Sequence, residues 1–403
     1  MPQGAPATTM PLPLYYNYRN LLRRKLSTLL TFMVVAVVVL VLSVLLSFAS
    51  GISASLAATG SPLNILVMKP GATAESTSVL VPEEVGRLIQ TPGVARGADG
   101  AILLSRELCV QAAIPRKTGS SEDSGLPANV AIRGVDLVAF DIHREVRIVQ
   151  GRKFTPGALE VVVGKGAAER YQGATLGDHL ILGRMGNRPF EVVGIFEAAG
   201  GALESEVWAP RTVISDSYLR RFDSSVVLRL EDAGKREEAI AYVSGPAVQL
   251  EAKTEIEYYE DLSKKSRDIV LLATILVGIM AIGAVFAVAN TMFAAVDGRR
   301  REIAMLRTIG FTKPAIIFSF VIESVLICVA ACITGLGLSM LFSGARSDFL
   351  SDATWTVFAF ELKVTPGILV AAFIVAVVVG VIGAITPAIR AARTRIIEAL
   401  RKA

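Results

Sequence analysis

Four stretches of this 403-residue chain are long, apolar and almost free of charge. Residues 28–48 read TLLTFMVVAVVVLVLSVLLSF. Residues 269–293 carry no charge, residues 314–342 carry only Glu323, and residues 364–389 carry none. About 20 apolar residues in a helix cross the hydrocarbon core of a bilayer, and a buried helix of a soluble protein is rarely so long without a charge. The expected fold is therefore an integral membrane α-helical protein. It has four transmembrane helices, at residues 28–50, 268–293, 314–342 and 364–389, with a large α+β extracytoplasmic domain inserted between helices 1 and 2. Arg23, Arg24 and Lys25 give the first stretch the look of a secretory signal. Its apolar run of 21 residues exceeds the roughly 7–15 of a signal's hydrophobic region, and no convincing small-x-small cleavage site follows closely. It reads as a retained anchor.

Lys and Arg near helix ends mark the cytoplasmic side. Arg19, Arg23, Arg24 and Lys25 precede helix 1; Arg299, Arg300, Arg301, Arg307 and Lys313 lie between helices 2 and 3; Arg390, Arg393, Arg395, Arg401 and Lys402 follow helix 4. These 14 basic residues face three acids, Asp297, Glu302 and Glu398. Both termini and the link at 294–313 are thus expected in the cytoplasm. Residues 51–267 and the loop at 343–363 are expected outside it. The formal charge of +5 divides accordingly: residues 50–265 hold 24 basic and 28 acidic residues, so the basicity is a rim at the membrane and not a nucleic-acid surface.

Residues 1–14 are Pro-rich and aperiodic, and read as a disordered cytoplasmic tail. Residues 15–27 mix Tyr, Leu and Arg at helical spacing, which suits an amphipathic helix in the inner interface and equally a simple juxtamembrane extension of helix 1. The region 51–250 reads as a folded α+β domain. Strands are expected at residues 64–68, 101–104, 160–163 and 190–196, and helices at residues 82–90 and 166–171. Residues 251–267 are charged and lack Gly and Pro, so a stalk helix running into helix 2 is expected. Residues 390–403 form a C-terminal cytoplasmic tail.

Sequence signals for catalysis are missing. No Gly-x4-Gly-Lys-Ser/Thr loop occurs, so ATP binding through a P-loop is not expected. Neither a Gly-x-Ser-x-Gly elbow nor a Cys-x-x-Cys pair is present. With two His and three Cys, no metal site and no disulfide framework are expected; Cys109, Cys328 and Cys332 read as free buried thiols, and His143 and His179 as surface or packed residues. The signal lies in the link between helices 2 and 3. There Ile303, Leu306 and Ile309 recur at helical spacing beside Arg301, Glu302 and Arg307, and Gly310 fits a C-cap before Pro314. Such a short amphipathic helix is suited to docking on a soluble partner.

This segment resembles the hallmark of the MacB/FtsX/LolC-type permeases of ABC transporters. Asn290, Arg299, Glu302, Ile303, Arg307 and Gly310 match that hallmark, whereas Gly298 stands where the family often has Glu and Ala304 where it has Gly. The C-terminus is also similar. Thr386-Pro387-Ala388-Ile389-Arg390-Ala391-Ala392 resembles Tyr-Pro-Ala-x-Arg-Ala-Ala, and Glu398-Ala399-Leu400-Arg401 matches the terminal Glu-Ala-Leu-Arg. In the inserted region, strings around Gly151, Gly164, Gly177 and Gly194 follow the order seen in the MacB-like periplasmic core domain.

The resemblance implies the permease subunit of an ABC transporter, not itself an enzyme. It implies a cytoplasmic ABC ATPase subunit that carries ATP and Mg, with no cofactor on this chain. It implies a second permease subunit, in a homodimer or related heterodimer, placed in the cytoplasmic membrane. Arg299, Arg301, Glu302, Ile303, Leu306, Arg307 and Gly310 would couple to the ATPase. Pro387, Arg390, Glu398 and Leu400 form the C-terminal motif, where Pro387 would kink helix 4 and the basic turn would grip lipid or a partner. Asn290 and Glu323 are the intramembrane polar residues, and Glu323 is expected to pack or hydrogen-bond between helices. Gly278, Gly283, Gly335, Gly337, Gly380 and Gly383 would permit close helix contact, some of them merely fitting the high glycine content of membrane helices. The implied function is export or extraction of a drug, peptide, lipid or lipoprotein by mechanotransmission, with an extracytoplasmic adaptor or lipoprotein as a further partner. The alternative is an FtsX-like, non-transport regulator of cell-wall hydrolases.

Overall fold

The computed structural model describes residues 25–117, 127–265, 267–350 and 357–393. The expectations for residues 1–14, for most of 15–27, and for Glu398 and Leu400 lie outside the described residues. The chain divides into two compact units: residues 1–50, 268–345 and 362–403 form one, residues 51–267 and 346–361 the other.

In the first unit, four helices among the described residues are long and apolar enough to span a membrane. They are α1 (Lys25–Ala57), α8 (Arg267–Asp297), α10 (Lys313–Met340) and α11 (Pro366–Ala392); α2–α7 and α9 are introduced below. Their shared core sets Val39 of α1 against Val288 of α8, Cys328 and Ala331 of α10, and Ala376 and Val379 of α11. Elsewhere large apolar side chains point outward, among them Leu272, Phe286, Ile333 and Val370. An apolar exterior of this extent suits lipid rather than water.

Small residues set the helix spacing at three of the six expected glycines. A β-carbon on Gly335 would lie 2.6 Å from the Ala36 carbonyl oxygen of α1, and one on Gly383 would lie 2.7 Å from Val288 Cβ. Gly380 lies against Cys328, and its carbonyl accepts from Ser324 Oγ at 2.8 Å. Gly278, Gly283 and Gly337 face open space and are the ones that merely fit the high glycine content of membrane helices. Gly335→Leu is expected to lower stability by about 1–3 kcal/mol by overpacking. Gly337→Leu, the control, is expected to stay within about 0.5 kcal/mol. Thermal denaturation of the two variants in detergent makes the comparison.

The second unit is built on a ten-stranded mixed sheet, in the order β10-β1-β9-β2-β3-β8-β5-β7-β4, with β6 paired to β7. The strands are β1 (Asn64–Met68), β2 (Leu104–Pro115), β3 (Pro127–Val135), β4 (Arg147–Gly151), β5 (Glu160–Gly164), β6 (His179–Leu182), β7 (Arg188–Glu197), β8 (Val207–Pro210), β9 (Ser225–Arg229) and β10 (Glu251–Thr254). Only the β3–β8 and β5–β7 pairs are parallel. Helices α2 (Pro82–Leu88), α3 (Ala139–Ile142), α4 (Lys165–Arg170), α5 (Arg211–Tyr218) and α6 (Arg236–Ser244) lie between strands. One core gathers Leu108, Ile132, Val163, Phe190 and Ile214. A second gathers Phe140, Phe154, Phe196 and Trp208. Strand β1 (NILVM), flanked by β10 and β9, is buried at every residue. It lacks apolar–polar alternation because both its faces are covered.

Three expectations are corrected. The strand placed at 101–104 begins at Leu104 and runs to Pro115. The stalk does not begin at residue 251: Glu251–Thr254 is strand β10, and helix α7 spans Glu255–Lys265. The boundary is a reciprocal cap, with Thr254 Oγ1 accepting from the Glu257 amide at 3.1 Å and Glu257 Oε2 accepting from the Thr254 amide at 3.0 Å. Last, the loop at 343–363 contains a hairpin, β11 (Arg346–Leu350) with β12 (Val357–Glu361), that belongs to this unit. Gly51 sits against it, and a β-carbon there would meet the Glu361 carbonyl at 2.5 Å.

Candidate functional site

The segment between α8 and α10 folds as helix α9 (Arg300–Ile309). Its inward face is short: Ile303 and Ala304 are buried. Ile303 joins Val296 of α8, Ile316 and Phe320 of α10, and Ala388 and Ala391 of α11 in one apolar cluster. The helix is thereby seated on three membrane helices at once. Gly310 ends it at φ +111°, donating back toward the Arg307 and Leu306 carbonyls. That backbone conformation suits only glycine. Thr312 and Pro314 then start α10, with Pro in its first turn.

Charged side chains fix both ends of α9. Arg299 precedes the helix and turns its guanidinium inward, onto Glu323 of α10. Its two terminal nitrogens donate to the two carboxylate oxygens at 2.8 Å each, and the Phe320 ring lies 5.9 Å from its Cζ. The Glu323 side chain is 3% exposed and that of Arg299 11%. The intramembrane acid is therefore one half of a bidentate ion pair, and the geometry gives Arg299 a partner within the chain. Arg307 Nη1 donates to the Ala392 carbonyl at 2.8 Å and so caps the end of α11. Arg390 lies 5.6 Å over the Phe293 ring, which ties α11 to α8. Pro387 is buried inside α11 near its last turn. Asn290 is exposed on α8, while its neighbour Thr291 meets the Thr31 hydroxyl of α1.

The outward face of α9 carries Arg301, Met305, Thr308 and Ile309, with Met305 50% and Ile309 75% exposed. Ile309 was expected on the apolar side with Ile303; it lies on the open one. Steps of three residues drift by about 60° on a helix, so Ile309 stands about 120° round from Ile303. Leu306, Glu302 and Arg307 lie half-buried between the two faces. Met305 and Thr308, not singled out in the sequence, complete the exposed stripe. The i, i+4, i+7, i+8 spacing from Arg301 would have found them.

The inserted unit holds a second arrangement that sequence reasoning missed. Arg133 of β3 is buried and donates to three carboxylates: Glu75 at 2.8 and 3.0 Å, Glu107 of β2 at 2.5 Å, and Glu206 at 2.7 and 2.9 Å. Trp208 Nε1 and Ser225 Oγ supply further donors, at 2.9 Å to Glu206 and 2.6 Å to Glu75. Burial alone would push the Glu107 carboxyl up; Arg133 and His143 instead hold it down at about 2. A small cavity beside this centre, about 30 Å³ and large enough for one water, is lined by Glu75, Arg133, Glu206, Tyr258 and Tyr259. The sequence signal is a lone charged residue, Arg133, in an otherwise uncharged strand. Of the two histidines, His143 is buried and His179 exposed; Cys328 and Cys332 are buried free thiols, whereas Cys109 is only half-buried.

Comparison with known proteins matches both units. The MacB-like periplasmic core domain model matches residues 28–245, and the FtsX-like permease C-terminal model matches residues 274–396. A macrolide export ATP-binding/permease protein MacB from Burkholderia thailandensis is 24% identical over 323 residues, covering 75% of this chain and 48% of that protein. A MacB 1/2 protein from Paracoccus denitrificans is 26% identical over 291 residues, covering 68% and 42%. The chain thus spans about half the length of the curated relatives it matches. Among solved structures, the extracellular domain of the noncanonic ABC-type transporter YknZ from Gram-positive bacteria is 18% identical, with a TM-score of 0.33, covering 47% of this chain and 100% of that one. The periplasmic region of MacB from Actinobacillus actinomycetemcomitans is 12% identical, with a TM-score of 0.35, covering 50% and 93%. The core-domain match covers more than half of the sequence, and the permease match takes in the very helix that rests on three membrane spans: the chain belongs to the MacB/FtsX-type family of ABC transporter permeases.

Proposed function

We propose that this chain is the membrane subunit of an ABC exporter, transmitting the motion of a separate cytoplasmic ATPase to its extracytoplasmic domain. ATP and Mg belong to that ATPase. Two permease subunits form the working dimer in the cytoplasmic membrane, with both termini inside. The cargo class is a drug, peptide, lipid or lipoprotein; relatives named for macrolide export support an export role.

The observation that carries this reading is the build of α9. Its inward face is locked to α8, α10 and α11, while its outward face offers Met305, Thr308 and Ile309 beside Arg301. A partner pressing on that stripe moves three membrane helices together. The basic rim around it, derived from the sequence, supports a cytoplasmic placement.

The test uses the full chain in lipid nanodiscs with the ABC ATPase that copurifies with it. Glu302→Lys and Met305→Asp are expected to reduce ATPase binding and ATPase stimulation at least tenfold while membrane insertion and thermal stability hold. Parental binding and stimulation in both variants would overturn the assignment of α9 as the coupling element.

A further inference from the structure

His143 lies at the end of α3, 1% exposed, and its two ring nitrogens have different surroundings. Nε2 is 3.1 Å from Glu107 Oε1, in hydrogen-bond contact. Nδ1 makes no hydrogen bond, and neither does the buried Oε1 of Glu145 two residues on. Nδ1 lies 3.5 Å from Glu145 Oε1 and 3.3 Å from Glu255 Oε1, and the three atoms fall within 4.8 Å of one another. The other oxygen of Glu255 is already held, by the Ser61 amide at 3.0 Å and Asn64 Nδ2 at 2.8 Å. Among the described residues, no Arg or Lys forms an ion pair with Glu145 or Glu255. The arrangement therefore brings two carboxylate oxygens and one imidazole nitrogen to one point, while Arg229, whose charge attracts both acids from nearby, donates its Nη1 to Asn64 Oδ1 and the Ile142 carbonyl instead.

We propose that His143 Nδ1, Glu145 Oε1 and Glu255 Oε1 are the protein ligands of a divalent transition-metal site of the zinc class, with the fourth position open to water. The spacing supports this. Ligand bonds of about 2.1 Å in tetrahedral array place ligand atoms about 3.4 Å apart, which the 3.3 and 3.5 Å separations match. The contact of Nε2 with Glu107 gives the other nitrogen a carboxylate partner. With Nε2 as the donor, that contact leaves Nδ1 as the ligand, as in carboxylate–histidine–metal arrangements. Imidazole among the ligands selects a transition metal over calcium or magnesium, which take oxygen. The Glu145 side chain, 17% exposed, gives the ion a way in. A bound ion would tie the segment after α3 to the first turn of α7, the helix that precedes α8 in the chain. This site is independent of the coupling surface on α9.

The rival occupant of Nδ1 is a proton, with the imidazolium bridging the acids and no metal bound. The full chain in lipid nanodiscs, with any affinity tag removed, is titrated with zinc chloride against a chromophoric chelator, and its metal content is measured by mass spectrometry. Calcium and magnesium chlorides serve as controls. One zinc per chain is expected, with Glu145→Gln weakening it at least tenfold. Cobalt(II) should give the visible bands of a four-coordinate site in the parent and lose them in His143→Gln. Glu145→Gln keeps the side-chain shape, so the test stands even where His143→Gln does not fold. Equal zinc binding by parent and Glu145→Gln, which is adventitious binding only, would overturn the proposal. No zinc in either protein, or calcium bound as well as zinc, would overturn it too.

Discussion

Arg133→Met is expected to destabilise the extracytoplasmic domain by about 3–5 kcal/mol, because it strands three carboxylates in the interior. Glu75, Glu107 and Glu206 all converge on this guanidinium, and none of their side chains is more than 7% exposed. A buried acid without its cation keeps the full desolvation penalty and loses the attraction that offset it. The effect is read by thermal denaturation of the full chain in nanodiscs, followed through Trp208, whose indole donates to Glu206. Adding Glu75→Gln, Glu107→Gln and Glu206→Gln to Arg133→Met should recover part of the loss, since neutral amides are cheaper to bury. If the single variant melts within about 0.5 kcal/mol of the parent, the charges are not compensating one another. Coupling among the four side chains makes the single changes non-additive.

Arg299→Ala carries the second large effect, again about 3–5 kcal/mol, now in the membrane unit. Glu323 sits deep in a helix of mostly apolar residues, and its two oxygens are both taken by Arg299. A carboxylate left alone at such a place is expensive. Lysine cannot replace the planar fork that meets both oxygens, so Arg299→Lys should rescue less than half of the loss. Removing the acid as well, in Arg299→Ala with Glu323→Gln, should restore most of it. Thermal melting of the three variants in nanodiscs decides the matter. A double variant as unstable as Arg299→Ala would mean that Arg299 acts through something other than Glu323.

Both predictions rest on pairs that the sequence did not disclose. Glu323 was visible as a lone intramembrane acid and Arg299 as part of a basic link, yet nothing local joins them across 24 positions. Arg133 and Glu206 are 73 positions apart. Hydrophobic periodicity reports the faces of one element at a time, and says nothing of which distant charge an exceptional residue will meet. Other misses were readable. The Thr254–Glu257 cap follows the Ser/Thr-x-x-Glu pattern of a helix start, yet charge content alone suggested a helix from residue 251. A three-residue repeat winds around the helix by about 60° a step, and that carries Ile309 off the face of Ile303.

What the sequence determined by itself was whatever depends on contiguous composition. The four spans follow from apolar length against bilayer thickness. The short helix between the second and third follows from its amphipathic run, closed by Gly310 at a positive φ. Tertiary structure alone decided the rest: that the basic link turns Arg299 inward and Ile309 outward, that a hairpin from the last extramembrane loop joins the inserted domain, and that one arginine holds three acids inside it. Those outcomes depend on long-range pairing. A buried charge is tolerable only beside its partner, and only the folded chain brings the partner there.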